Sequence, residues 1–308
     1  MEIQVFSQSF SGGGAERVLS YLVNNDKSFQ PISLTDQLHY LDDSSSAAVL
    51  NSQSISRYKI IRQLKTIKNI YTIYDRRKTS LTCSVEIFFC LWFVKLLTLS
   101  KAKIIFRPSI NNNFFLDILK SKTYFLYIFI EKFYKIFLRN SILIFQTSLI
   151  EKSFRDFEKN LKGSVLRNPV TKLNLFLPQK NHTAHKTINC CFIGRCTKIK
   201  GIDRFINLSN HNDNRFSWHI YGDHNIEKID QNTANVKFHG WQQKSNIVHQ
   251  NPIIILPSIL EGSPNIFFEA VASDWPIIVS REVSEILLDD DMLNGLYKSV
   301  DFASDSAE

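Results

Sequence analysis

Along the first half of the chain, short apolar runs alternate with segments whose apolar residues recur every three to four positions. "EIQVFSQSFSGGGAERVLSYLVNN" predicts a strand, a glycine turn over residues 11–14, and a helix with Val18, Leu19 and Leu22 on its inner face. "QPISLTD" predicts a second strand. "SRYKIIRQLKTIKNI" carries Ile60, Ile61, Leu64 and Ile67 at the spacing of an amphipathic helix. "AKIIFRPS" predicts a buried strand ending at Arg107, residues 114–139 are aromatic, basic and helical in period, and "SILIFQTS" predicts a strand followed by a helix at 149–160. After "VLRNPV" the period lapses into a polar stretch, and a second series begins. "TINCCFIG", "FSWHIYGD", "VKFHGW", "PIIILPS" and finally "WPIIVS" read as strands; "IDRFINLSN", "SNIVHQN" and "PNIFFEAVAS" read as helices.

This alternation predicts α/β domains with parallel sheets. The expected organisation is a first domain over 1–170, a linker over 171–186 and a second domain over 187–308. Both are expected to be open, doubly wound Rossmann-like domains, with a ligand where strand ends face each other across a cleft.

Composition narrows the class without fixing it. A chain of 308 residues with 44% hydrophobic and 12% aromatic residues can build two cores. The five cysteines, Cys83, Cys90, Cys190, Cys191 and Cys196, form no C-x-x-C pair, which argues against a disulfide framework or zinc site and for a reducing, cytoplasmic compartment. The longest apolar run, 87–99, is too short to span a bilayer and contains Lys95. Of the formal charge of +8, the basic share is concentrated: residues 55–140 hold seventeen Lys/Arg against four Asp/Glu. Such a surface attracts nucleic acid, anionic lipid or phosphorylated substrates, or is simply a solvated face. No recognition module accompanies the charge, so specific nucleic-acid binding is not expected.

Three stretches carry candidate chemistry. Consecutive glycines at 12–14, between a strand and a helix, let backbone N–H groups approach an anion, although the pattern is no dinucleotide or Walker motif. "FIGRCTKIKG" brings a strand to an end at Gly194 and delivers Arg195 and Lys200, a fork and a point charge suited to a diphosphate. "LPSILEGSPNIFFEA" places Glu261 in a loop after a strand and Glu269 within the helix that follows, with Ser263 as N-cap and Pro264 in the first turn. Carboxylates there can accept hydrogen bonds from sugar or ribose hydroxyls.

"FIGRCTKIKG", "IYGD", "FHG", "LPSILEGSPNIFFEA" and "PIIVS", in that order, resemble the nucleotide-sugar domain of the retaining GT-B glycosyltransferases of family 4. "GGGAERVL" and "RNPV" resemble parts of that family's N-terminal domain, and Glu261 and Glu269 reproduce its E-x7-E spacing. The resemblance implies an acceptor-side first domain and a donor-binding second domain. It implies transfer of a hexosyl or N-acetylhexosaminyl group, with retention, from a nucleotide-diphosphate sugar to a surface-polysaccharide or lipid-linked glycan acceptor. Arg195 and Lys200 would hold the diphosphate, Glu269 the ribose, and Glu261 the donor sugar; Arg195, Lys200 and Glu261 are the implied catalytic set. Gly194, Gly262, Ser263, Pro264 and Asn265 would line the donor, with Gly13 and Gly14 approaching its phosphates. No metal or other cofactor is implied, and "DDD" at 289–291 reads as a solvated acidic run rather than a metal motif.

Some features depart from the family pattern. Arg107, Ser109 and Asn111 stand where the family often has a histidine; Arg107 and Asn111 are the candidate acceptor-side residues. Asp274 stands where a glycine is usual, and His224 follows "GD" in place of another glycine. The family usually continues beyond the point where this sequence stops, at Glu308, so the second domain is expected to be incomplete and a catalytically inactive sugar-nucleotide-binding or assembly subunit is the alternative function. "YFLYIFIEKFYKIFLRN" mixes aromatics with Lys and Arg at helical spacing, which suits either a core helix or one lying on the anionic inner face of a plasma membrane.

Overall fold

The computed structural model describes residues 2–10, 14–42, 47–50, 59–122, 127–169, 187–210, 214–222, 235–242, 252–287 and 296–302. The chain divides into two compact units, Met1–Asn168 and Pro169–Glu308. The expected linker at 171–186, the expected helix over 245–251, Gly12, Gly13, His224 and the acidic run at 289–291 lie outside the described residues.

The first unit is a seven-stranded parallel sheet. Its strands are β1 (Ile3–Ser7), β2 (Phe29–Ser33), β3 (Ala48–Val49), β4 (Thr79–Thr82), β5 (Ile104–Phe106), β6 (Ile142–Phe145) and β7 (Lys162–Val165), in the spatial order β3-β2-β1-β4-β5-β6-β7. Helices α1 (Gly14–Asn25), α2 (Lys59–Ile73), α3 (Val85–Leu97), α4 (Asn112–Lys122), α5 (Tyr127–Arg139) and α6 (Ser148–Phe157) connect them. The aromatic stretch read as helical in period is helical over its described residues, in α4 and α5.

The apolar run at 87–99 lies in α3, whose start is capped by Ser84 Oγ accepting from the Ile87 N–H. Phe88 stacks on Phe106 of β5 at 4.4 Å, and Trp92 stacks on Phe137 of α5 at 4.9 Å. α3 is therefore a core helix, which explains its weak polar face. It ends with Leu99 in the left-handed region (φ 49°), where the Ser100 N–H reaches the Lys95 carbonyl and the Leu99 N–H reaches that of Leu96.

The second unit is a six-stranded parallel sheet of order β10-β9-β8-β11-β12-β13. Its elements are β8 (Ile188–Ile193), a short 3-10 turn (Lys198–Lys200), α7 (Ile202–Ser209), β9 (Phe216–Tyr221), β10 (Val236–Phe238), β11 (Pro252–Leu256), α8 (Asn265–Ala272), β12 (Ile277–Ser280), α9 (Arg281–Leu287) and β13 (Lys298–Val300). One core cluster joins Phe205 of α7 to Phe192 and Trp218; another joins Phe267 and Ala270 of α8 to Val279 and Val283. Burial on both sides is why these strands read as continuous apolar runs. "WPIIVS" is not the last strand: α9 and β13 follow, and β13 is a three-residue edge strand of sequence KSV with little apolar signal. Both units have the parallel, doubly wound architecture expected from the sequence.

Candidate functional site

In the second sheet the chain steps outward from β8 through β9 to β10, then returns so that β11 pairs with the other side of β8. The loops after β8 and β11 therefore lie side by side at the carboxyl ends of adjacent strands, the switch point at which an open sheet of this kind has its crevice. Residues 194–201 form the first of these loops and 257–264 the second.

The two loops are tied together by backbone. The Ile259 N–H donates to the Ile199 carbonyl at 2.9 Å, and the Gly194 N–H donates to Tyr221 at the end of β9, also at 2.9 Å. Gly201 opens α7 with φ 70°, and a Cβ on it would overlap the Pro257 carbonyl oxygen of the facing loop. Only glycine meets both conditions. Gly201→Ala is expected to cost about 3 kcal/mol or more, measured by denaturant unfolding, because strain and backbone overlap act together. A change below about 1 kcal/mol would mean the two loops are not held this close.

The crevice is crossed by an ion pair. Lys200 Nζ lies 2.6 Å from Glu261 Oε1 and 2.7 Å from Oε2, and Ser258 Oγ donates to Oε1 at 2.8 Å. The side chain of Glu261 is 8% exposed and that of Lys200 is 25% exposed. Ser258 is itself fixed: its carbonyl accepts from Ser280 Oγ at 2.6 Å, and Ser280 Oγ accepts from the Val283 N–H at the start of α9. Arg204 of α7 donates to the Pro257 carbonyl at 3.2 Å and pairs with Glu282 at 2.7 Å. Burial alone would raise the Glu282 carboxyl, but hydrogen bonding and charge from Arg204 hold it below the ordinary glutamate value. The loop ends of β8, β11 and β12 thus form one network.

The other expected residues of this domain surround that network. Arg195 is exposed and has no ion-pair partner among the described residues. Gly262 and Pro264 are buried, while Ser263 and Asn265 are half-buried. The N-cap of α8 is Pro264, not Ser263, in extended backbone and with no side-chain cap, so the helix begins one residue later than the sequence suggested. Glu269 lies one turn inside α8 and is 4% exposed; its own carbonyl accepts from Ser273 Oγ.

In the first domain, β1 to β3 run one way and β4 returns beside β1, so the switch point lies at the ends of β1 and β4. Gly14 is exposed and opens α1 next to the β1 end. Arg107 directly follows β5, is 3% exposed, and donates through Nη2 to Asn168 Oδ1. Asn111 accepts through Oδ1 from the Asn113 N–H at 2.9 Å, a capping role at the start of α4. Among the described residues no group of three or more His, Cys, Asp or Glu is placed to hold a metal. All five cysteines are free thiols.

The model of the family described as "Glycosyl transferases group 1" matches residues 187–304. That span contains the whole β8/β11 crevice. Over those residues the chain is similar to the group 1 glycosyltransferases. Over nearly its full length it also has the GT-B fold of two Rossmann-like domains. It aligns with sucrose-phosphate synthase from Thermosynechococcus elongatus at a TM-score of 0.74 and 15% identity, covering 98% of this chain and 86% of that one. It aligns with HepE of Anabaena, solved with UDP and glucose, at a TM-score of 0.67 and 14% identity, covering 98% and 87%. By sequence it is 26% identical over 239 residues to an uncharacterized 41.2 kDa protein in the cps region of Klebsiella pneumoniae, covering 71% of this chain. The chain spans 63% of that relative's length.

Arg195, Lys200, Glu261 and Glu269 all fall inside the group 1 match, whereas Gly14, Arg107 and Asn111 fall outside it. Sequence reasoning missed Ser258 and Ser280, which carry the Glu261 network. Both are the first small hydroxyl residues at the end of an apolar strand, in "LPS" and "IIVS", and that position was the available signal.

Proposed function

We propose that this chain is a retaining glycosyltransferase that moves a hexosyl or N-acetylhexosaminyl group from a nucleotide-diphosphate sugar to a surface-polysaccharide or lipid-linked glycan. The observation that carries the reading is the β8/β11 switch point, where an exposed Arg195 shares a loop with Lys200, which is held by Glu261, itself fixed by Ser258. The group 1 match over the same residues and the UDP bound by the structurally similar HepE support it.

In this reading Arg195 forks onto the diphosphate and Lys200 offers its third N–H to the same group, the other two facing the Glu261 oxygens. The positive end of α8 adds to that field. Glu269 accepts from the ribose, and the Glu261 loop, Gly262–Asn265, lines the donor sugar. Glu261 is not the nucleophile, because both of its oxygens are engaged by Lys200. Instead, the acceptor hydroxyl attacks C1 from the face that the diphosphate leaves; the C1–phosphate bond breaks, and the departing phosphate oxygen takes the hydroxyl proton. Positive charge from Arg195, Lys200 and the α8 N-terminus stabilises the leaving diphosphate as its charge develops. The test is turnover with a panel of nucleotide sugars and glycan acceptors. Acceptor-dependent release of nucleoside diphosphate with a retained anomer is expected; failure to bind any nucleotide sugar would overturn the proposal.

We further place the protein at the inner face of the plasma membrane. No helix among the described residues is long and apolar enough to cross a membrane. The exposed stripe of α5, however, is Phe129, Lys132, Phe133, Ile136 and Arg139, and Phe93, Leu96 and Leu97 of α3 are exposed nearby, since Phe93 and Phe133 both contact Phe137. Apolar and basic residues on one face suit an anionic interface. The protein is expected to sediment with phosphatidylglycerol vesicles and not with phosphatidylcholine alone, and Lys132→Glu with Phe133→Glu should weaken this by about tenfold or more. Equal binding to both vesicle types would remove the membrane assignment.

A further inference from the structure

We infer that Arg107 and Asn112 form an oxyanion subsite in the first domain, which takes the acidic group, carboxylate or phosphate, of the acceptor glycan. The identity of the bound molecule as an acceptor rests on the glycosyltransfer reading above; the subsite itself does not. Arg107 leaves β5 with its N–H bound to the Thr82 carbonyl at 2.9 Å, and its side chain is almost wholly buried. Nη2 donates to a neutral amide, Asn168, while Nη1 has no hydrogen-bond partner among the described residues. No carboxylate forms an ion pair with this guanidinium among the described residues. The adjacent Cys83 shares a hydrogen bond with the guanidinium but does not neutralise it: burial pushes that thiol up to about 11, outweighing the charge and hydrogen bond of Arg107, so it stays protonated near neutral pH. Glu16 of α1 lies near enough to act on the same thiol but makes no ion pair with Arg107.

Five residues on, Asn112 is 0% exposed, and neither its Oδ1 nor its Nδ2 has a partner among the described residues. Its backbone is well held: the Asn112 N–H donates to Ser153 Oγ at 3.2 Å. Gln146, at the end of β6, fixes the intervening loop by donating to the Pro108 carbonyl at 3.0 Å. The structure therefore fixes the backbone at both ends of this loop and leaves Arg107 Nη1 and the Asn112 amide without partners among the described residues. A buried charge without a counterion and a buried amide without partners are both costly, and they rarely persist without a role. The Nη1 and Nδ2 donors suit an oxyanion, and Asn112 Oδ1 can accept from a neighbouring hydroxyl. The carboxyl ends of β4, β5 and β6, where these groups lie, are the ligand-binding edge of a parallel sheet. Both groups are closed from solvent in the free protein, so an entering ligand displaces the half-buried side chains of Ser109 to Asn111.

The test is thermal unfolding of the full chain with inorganic phosphate, glucuronate or glucose at matched ionic strength, in the native protein, Arg107→Met and Arg107→Lys. Phosphate or glucuronate is expected to raise the native Tm and glucose is not; the anion preferred identifies the acidic group. Arg107→Met should start from an equal or higher Tm and lose the response. Arg107→Lys, which keeps the charge but not the fork, should need at least fivefold more anion. An equal response in all three proteins, or none in the native one, overturns the subsite. Calorimetry with UDP separates it from the donor site: unchanged UDP affinity in Arg107→Lys is expected, and lost affinity would reassign Arg107 to the donor. If the anion response holds but no sugar is transferred, the subsite stands and the glycosyltransfer reading falls.

Discussion

Lys200→Met is expected to lower the stability of the protein by about 2–3 kcal/mol and to weaken nucleoside diphosphate binding at least tenfold. The stability loss follows from what the substitution leaves behind. Glu261 is 8% exposed at its side chain, so losing the ammonium at 2.6 and 2.7 Å strands a nearly buried carboxylate, with only Ser258 still donating to it. Breaking a buried pair costs about 3–5 kcal/mol, and an exposed pair is worth about 1 kcal/mol or less. Because Lys200 is 25% exposed, this pair belongs between those limits. Methionine keeps the apolar stem, which isolates the charge. The double variant Lys200→Met, Glu261→Gln should regain most of the lost stability, since an amide is cheaper to bury than an unpaired carboxylate. It should not regain binding, because the phosphate contact is still missing. Urea unfolding and calorimetry with UDP separate the two effects. Recovery of both together would show that Lys200 acts only on the fold.

Arg195→Ala and Glu269→Gln should both weaken UDP binding, by about 10–100-fold and about tenfold, while differing with a smaller ligand. Arg195 is exposed and has no ion-pair partner among the described residues, so its removal should change stability by no more than about 0.5 kcal/mol. A hydrogen bond to a charged group contributes about 1.5–3 kcal/mol, which sets the size of the Arg195 effect. Inorganic pyrophosphate contains the group assigned to Arg195 and lacks the ribose assigned to Glu269. Calorimetry should therefore show pyrophosphate binding weakened in Arg195→Ala and unchanged in Glu269→Gln. Weakening of pyrophosphate by both substitutions would mean that Glu269 acts by shaping the crevice rather than by accepting from ribose.

The elements legible in the sequence were those whose burial left an apolar period. β1, β5, β6, β8, β9 and β11 were readable because both of their faces are covered. β4 was not: its sequence is TSLT, and Ser80 and Thr82 are 0% exposed despite being polar, so a central strand looked like a loop. β7, with sequence KGSV, and β13, with KSV, are short edge strands whose exposure removes the apolar signal. The departure at Asp274 has a local meaning. It has φ 54° just after α8, where the Trp275 N–H reaches the Ala270 carbonyl and the Asp274 N–H reaches that of Val271, a helix ending that glycine adopts with less strain.

The candidate site was legible as a set of residue types and loops, and much less so as a set of contacts. Arg195, Lys200, Glu261 and Glu269 could be placed because each follows or enters a well-marked element. The pairing of Lys200 with Glu261 could not, because it joins loops 61 residues apart whose proximity depends on β11 pairing with β8. The same holds for Arg107: its place after a strand was visible, but its lack of an ion-pair partner among the described residues and the burial of Asn112 are properties of packing.

The central claim is that the β8/β11 switch point holds the nucleotide-diphosphate sugar. Hydrogen–deuterium exchange of the full chain with and without UDP-glucose, or the nucleotide sugar that turns over best, tests it at the backbone. Slower exchange is expected over 194–202 and 258–269, with the effect over 194–202 reduced in Arg195→Ala. Bound ligand with unchanged exchange in both segments, and protection elsewhere, would contradict it.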